Sequence, residues 1–238
     1  LTFDISNIEK ATIVNEFKLK TKSEILKIES LESRYKIIVV SEGSVFFCNI
    51  ATNETIEILK DILIVKIYQI KKRKIMFSNQ KQKIIMTDLE DYYKDDTKNI
   101  KSIQKDKEFI FEDNIKKFCL FGKTIAVLLQ NMQVVFLDIS SSRVYPISIS
   151  KMTDVSFFEV NENELFLCFR FDKDRYMGVF LDNQGMSSNS RSSIMINSQE
   201  KLFNITKNQN FFIISTTSEH FLFTINTFDL IQIIKDSQ

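Results

Sequence analysis

IAVLLQNMQVVFLD, residues 125–138, is an apolar run broken once, at Gln130-Asn131, and closed by an acid. Read as one element it would be a buried helix; read as two it is a pair of strands around a tight turn. Four other stretches decide between these. IIVVSEGSVFFCNI spans 37–50, LFLCFRFDKDRYMGVFLD spans 165–182 and FFIISTTSEHFLFTI spans 211–225. IMFSNQKQKIIMTDL, 75–89, is a weaker copy. Each is a short apolar run, a polar break and a second run often followed by Asp or Asn. Ser41-Glu42-Gly43-Ser44 and Asp172-Lys173-Asp174 are turn chemistry. A hairpin requires such a break, whereas a helix would not tolerate it repeatedly. The stretch is strand, turn, strand.

The copies recur roughly every 40 to 50 residues, the period of a β-propeller blade. A further short apolar run follows the hairpin, as in Thr55-Ile56-Glu57-Ile58-Leu59 and Arg143-Val144-Tyr145-Pro146-Ile147. Two extra strands per copy complete a four-stranded antiparallel blade. Leu1 to Ile5 with Ala11 to Phe17 reads as the tail of an earlier blade. The expectation is an all-β chain: a β-propeller over 1–238 of about five to six blades, incomplete at one or both ends, and seven-bladed when complete. A β-sandwich or two unrelated β domains are the competing architectures. Residues 89–113, dense in charge, read as a surface insertion between blades. SNSRSSIMINSQ, 188–199, holds a single short strand among turn formers.

Composition agrees with a packed β protein. The 238 residues are 44% hydrophobic and 26% charged, with 22 Phe, 6 Tyr and no Trp. With 4 Gly and 1 Pro, the turns fall to Asn, Asp and Ser. The chain begins at Leu1 without a signal-peptide pattern and reads as a fragment. Lys and Arg number 32 against 31 Asp and Glu, so global charge makes no case for nucleic acid. Cys48, Cys119 and Cys168 sit in apolar runs without ligand spacing and read as buried thiols.

Catalytic chemistry is not advertised. His220, the one histidine, starts a strand run, and the usual zinc compositions are absent. Gly43, Gly122, Gly178 and Gly185 are too far apart for a nucleotide fingerprint, so no cofactor and no metal are expected. Asp172-Lys173-Asp174 opens like a calcium loop but lacks its Gly and final Glu, and reads as a turn. Phe46-Phe47, Phe157-Phe158, Phe211-Phe212 and Phe118-Cys119-Leu120-Phe121 read as packing between blades. The basic run Lys71-Lys72-Arg73-Lys74 reads as a solvated turn between blades, with contact to an acidic partner or anionic membrane as the functional alternative. For protein binding by exposed charged loops, the candidates are Lys71, Lys72, Arg73, Lys74, Asp172, Lys173, Asp174 and Arg175.

The segment 164–196, ELFLCFRFDKDRYMGVFLDNQGMSSNSRSSIMI, resembles the citron homology (CNH) domain. The resemblance is carried by Leu165 to Phe169, Gly178-Val179-Phe180, the turn Asp182 to Gly185, and Ser190-Arg191 with Ile194 and Ile196. Arg175-Tyr176-Met177-Gly178-Val179-Phe180 resembles the CNH domains of endosomal and vacuolar tethering subunits more than those of kinases. These include the Rab-binding subunits of the CORVET and HOPS complexes and the TGF-β receptor-associated protein. The family's Trp after the Ser-Arg turn is replaced here by the neighbourhood of Met195 and Asn197, and its Pro-Tyr motif by Lys207-Asn208-Gln209-Asn210. What the resemblance implies is a non-catalytic propeller docking a Rab-type small GTPase or partner subunits, peripheral on endosome or vacuole membranes, during vesicle fusion and vacuolar protein sorting. The alternatives are the CNH domain of a Rho guanine-nucleotide exchange factor or kinase, or a scaffold propeller of an RNA-processing or coat complex.

Overall fold

The structure, a computed structural model, describes residues 2–4, 12–15, 23–30, 36–70, 73–89, 107–147, 153–187 and 193–235. They are arranged in two compact units, Leu1–Ile110 and Phe111–Gln238. Among the described residues every regular element is a strand, and no helix is long and apolar enough to cross a membrane. The fold is a β-propeller of four-stranded antiparallel blades, five of which are described.

In the first unit β1 (Thr2–Asp4) pairs with β2 (Thr12–Asn15). The first full blade follows as β3 (Ile25–Ser30), β4 (Lys36–Ser41), β5 (Gly43–Asn49) and β6 (Glu54–Ile62). The second is β7 (Ile64–Ile70), β8 (Arg73–Gln80), β9 (Lys83–Asp88) and β10 (Lys107–Ile110). The second unit holds β11 (Ile115–Phe121), β12 (Thr124–Leu129), β13 (Val134–Asp138) and β14 (Arg143–Pro146). Then come β15 (Thr153–Asn161), β16 (Glu164–Asp172), β17 (Arg175–Asp182) and β18 (Ile194–Asn197), and last β19 (Leu202–Lys207), β20 (Phe211–Thr216), β21 (Glu219–Thr224) and β22 (Leu230–Lys235). Each blade is a meander with strands paired in chain order, without crossovers. All five hairpins read from the sequence are the second and third strands of a blade.

The central strands read as continuous apolar runs because both faces are covered. Every residue of Thr124–Leu129 is buried. In the first unit Ile38, Val40, Phe47, Met76 and Ile85 pack between the two blades. In the second, Ala126, Leu128, Phe136, Phe157, Leu165 and Leu167 join its first blade to its second. Phe158, Phe166, Phe180, Phe212, Phe223 and Phe228 fill the next interface. Phe166 has ring centroids of Phe158, Phe180 and Phe212 at 5.3, 5.1 and 5.3 Å, pairings that add about 0.5–1.5 kcal/mol each beyond area burial. Gly178 belongs to this packing: a Cβ there would lie 2.5 Å from the Phe166 ring.

In three of the five hairpins the polar residue that follows the second apolar run has a specific task. At the turn into the fourth strand, Asn49 Oδ1 accepts from the amides of Ala51 and Thr52 at 3.1 and 3.4 Å. Asp138 Oδ1 accepts from Ser140 and Ser141 at 2.7 and 3.2 Å, and Asp182 Oδ1 from Gln184 and Met186 at 2.9 Å each. Short side chains that mimic a backbone turn make the connections at Asn49 and Asp138 without glycine, while the Asp182 turn also uses Gly185 at a φ of 79°. These amide bonds also hold the Asp138 carboxyl below its ordinary range.

Three expectations are corrected. Of the 89–113 stretch, Lys107–Ile110 is not insertion but the strand that completes the second blade against β9, while 90–106 lie outside the described residues. The basic run at 71–74 does not join blades: Ile70 pairs with Arg73 and Gln69 with Lys74, so it connects two strands of one blade. Phe211 is 39% exposed, since alternation along β20 sends Phe212 into the core instead. Phe46, Phe47, Phe157, Phe158 and Phe118 to Phe121 are buried as expected, and the three cysteines are buried free thiols.

Candidate protein-interaction site

Of the eight charged candidates, Lys71 and Lys72 lie outside the described residues, and Arg73 and Lys74 are described only through their backbone. They fall at a connection from the first strand to the second of their blade. Asp172 to Arg175 form the connection from second to third strand. In a meander, these two connections lie at opposite ends of the sheet. The two groups therefore occupy non-equivalent positions in their own blades.

The β16–β17 tip is well defined. Phe171 to Arg175 are all exposed, with Phe171 at 54%. Arg175 Nη2 donates to Asp172 Oδ2 at 2.8 Å, and its guanidinium lies 5.7 Å from the Phe171 ring centre. That bond, together with the Lys173 amide, holds the Asp172 carboxyl below its usual range. Ser198 N donates to Asp174 O at 2.9 Å, fastening the tip to the strand beyond.

Behind the tip is a constellation that sequence reasoning missed. Arg170 Nε donates to Asp154 Oδ2 at 2.9 Å, Nη1 to Lys173 O at 2.8 Å, and Nη2 to Tyr176 Oη and Glu200 O at 2.5 and 2.6 Å. The guanidinium also covers the Tyr176 ring at 4.6 Å. The Tyr176 hydroxyl, in a fully buried side chain, accepts from Leu202 N at 2.8 Å. It has Asp154 Oδ2 at 3.1 Å and Glu200 O at 2.7 Å as acceptors for its own proton. Burial first, then the neighbouring Asp154 charge, pushes this phenol up to about 12. Glu200 anchors the next blade: Thr216 Oγ1 and Ser218 N donate to Oε2 at 2.7 and 2.6 Å, and the Ser218 hydroxyl donates to Oε1. These bonds lower its pKa. Arg170 and Tyr176 thus tie four strands and a linker into one rigid base. No spacing rule could reveal it, because Asp154, Arg170, Tyr176 and Glu200 meet only when the strands pair.

Beside this base lies a groove of about 230 Å³, lined at the starts of β11, β15 and β19. Lys116, Lys117 and Lys201 reach it, with Ser156 and Asn204, over walls of Leu128, Val155 and Leu202. Lys117 Nζ donates to Ser156 Oγ at 3.1 Å and stands 5.5 Å from the Phe157 ring centre. The groove's one acid, Asp154, is the residue held by Arg170. Groove and tip therefore share one end of the second unit. Among the described residues no group of His, Cys, Asp and Glu could hold a metal ion. His220 Nδ1 lies 3.0 Å from Ser215 Oγ on the last blade.

No family model and no curated protein matches the chain. Solved structures do. The chain is similar to the CNH domain of AfRom2 at 12% identity, with a TM-score of 0.62 over 98% of this chain and 76% of that one. It is similar to Hsv2 of Kluyveromyces marxianus at 10% identity, with a TM-score of 0.56 over 91% of this chain and 67% of that one. The extracellular domain of a putative one component system from B. thetaiotaomicron matches at 12% identity and a TM-score of 0.59, over 95% of this chain and 32% of that one. At such identities the likeness establishes the propeller fold.

Proposed function

We propose that this chain is a non-catalytic protein-binding propeller of the CNH type, and more finely the docking domain of an endosomal or vacuolar tethering subunit that receives a Rab-type small GTPase. The observation that carries the reading is the β16–β17 tip. It presents an apolar ring and four charged side chains to solvent on a base immobilised by Arg170. Recognition residues on loops held by a rigid scaffold are the usual arrangement of a binding module. Support for the CNH assignment comes from the residues at 164–196 together with the likeness to the AfRom2 domain. The resemblance itself is carried largely by fold-building residues, such as Gly178 beneath Phe166 and the Asp182 turn. The docking role accordingly rests on the tip, and Lys71 to Lys74 remain a second candidate surface.

The test is retention of the purified chain on beads bearing Rab-type and Rho-type GTPases, each loaded with a GTP analogue or with GDP. We expect retention by a Rab in the GTP form, weakened about tenfold or more by the F171A/R175E double substitution. Retention by a Rho GTPase alone would replace the tethering reading with that of an exchange-factor or kinase domain. Retention indifferent to nucleotide, or absent throughout the panel, would overturn GTPase docking.

A further inference from the structure

We propose that the groove at the starts of β11, β15 and β19 is a docking site for an acidic, partly apolar peptide segment of a partner protein. The proposal deepens the reading of the chain as a protein-binding propeller, but it requires no GTPase.

The argument begins with charge. Three consecutive blades line the groove, and two of them send lysines to it: Lys116 and Lys117 from the first and Lys201 from the third. The middle blade contributes Asp154, which could have neutralised them. Its carboxylate instead faces the Arg170 guanidinium at 2.9 Å and the Tyr176 hydroxyl at 3.1 Å. A guanidinium placed behind the acid cancels its charge and leaves Lys116 and Lys201 in excess. Lys116 and Lys201 are exposed, and among the described residues neither has a carboxylate partner. Lys116 Nζ donates to the Met132 sulfur at 3.9 Å, a weak acceptor that leaves its charge uncompensated. Lys117 is steadied by Ser156 and the Phe157 ring, so at least one ammonium is positioned in advance.

Shape narrows the ligand class. About 230 Å³ is below the usual range for a drug-sized ligand, and it suits one or two side chains of an extended segment. The walls of Leu128, Val155 and Leu202 accept an apolar side chain, while Ser156 and Asn204 offer hydrogen-bonding groups to a peptide backbone. The cations are spread over separate strands rather than gathered into a fork, and the groove lining brings no arginine. Dispersed carboxylates on a peptide match this pattern better than a single phosphate dianion, for which planar, bidentate guanidinium donors are favoured.

The test titrates the whole chain into a fluorescently labelled peptide of alternating Glu and Leu and, separately, into its Lys-for-Glu counterpart, read by anisotropy. We expect the acidic peptide alone to bind, with affinity falling as salt rises. K116E and K201E should each weaken it about tenfold. K123E has the same charge change at the opposite end of β11 and should weaken it less than about twofold. Unchanged thermal unfolding of all three variants controls for folding. Equal losses for K123E and the groove variants would reduce the effect to net charge and overturn the site. So would absence of peptide binding, or sedimentation with phosphatidylserine vesicles in its place, which would identify a membrane headgroup as the occupant. The peptide titration decides the groove, and the GTPase assay separately decides the tethering reading.

Discussion

Two clusters of charge share one end of the Phe111–Gln238 unit and are built in opposite ways. Around Arg170 every polar group is answered: the guanidinium reaches a carboxylate, a phenol and two backbone carbonyls, and the phenol in turn serves Leu202 N. Around Lys116 and Lys201 the ammonium groups are exposed and, among the described residues, without a carboxylate partner. Asp154 belongs to both clusters, and its bond to Arg170 decides the character of each. The lesson is one of allocation. Charges with full partner sets position the backbone, and charges left over are those a ligand can use.

Removing the first kind of charge should therefore cost stability, and removing the second should not. The largest effect is expected for Arg170→Ala. It strips Asp154 of its partner while both side chains are only 18% exposed. Breaking a buried pair costs about 3–5 kcal/mol, and the residual exposure brings the expectation down to about 2–3 kcal/mol, measured by denaturant unfolding. Tyr176→Phe comes next, at about 1–2 kcal/mol, because the Leu202 amide and one Arg170 donor lose their acceptor inside the packed structure. A loss as large for Tyr176→Phe as for Arg170→Ala would make the phenol, not the guanidinium, the centre of the base.

Tyr176 adds a test in pH. Its pKa is raised from 10.0 to about 12 on folding. A raised acid contributes stability that is complete below the unfolded value and is lost as pH climbs through the folded one. The wild-type chain should therefore lose stability between about pH 10 and 12, and Tyr176→Phe should remove that component. A difference between the two proteins that does not change across that window would show that the phenol ionises as it does in the unfolded chain. The smallest effect is expected for Lys201→Gln, which should leave the unfolding midpoint unchanged, within about 0.5 kcal/mol. A clear loss there would place Lys201 with the structural charges.

Much of the framework was legible before any coordinates. The break at Gln130-Asn131 is a turn, in which Asn131 Oδ1 accepts from Gln133 N at 3.0 Å and Met132 takes a φ of 68°. The recurring Asp and Asn after the second run foretold turn caps, which Asn49, Asp138 and Asp182 are. Hairpins are visible because they are local: run, break and run lie within one stretch of chain. The first strand of each blade was harder to see. Ile25–Ser30 and Ile64–Ile70 carry Lys or Glu among their apolar residues and adjoin no turn signal of their own. Lys107–Ile110 was hidden in the charged surroundings that made 89–113 look like loop, since only pairing with β9 makes it a strand.

The candidate site was legible by half. Asp172 to Arg175 announced themselves as a charged turn, and the structure exposes them as one. The lysine groove did not, since Lys117 and Lys201 are far apart in the chain and are brought together by the stacking of three blades.

The sequence by itself determined the all-β class, the hairpin rhythm, the buried thiols and the exposed tip, because each is written in residues that neighbour one another along the chain. Tertiary structure alone decided which charges are spent and which remain. Asp154, Arg170, Tyr176 and Glu200 come within hydrogen-bonding distance only after strand pairing sets their register and the next blade closes behind them. An electrostatic balance that depends on separations of about 3 Å has no counterpart in linear spacing.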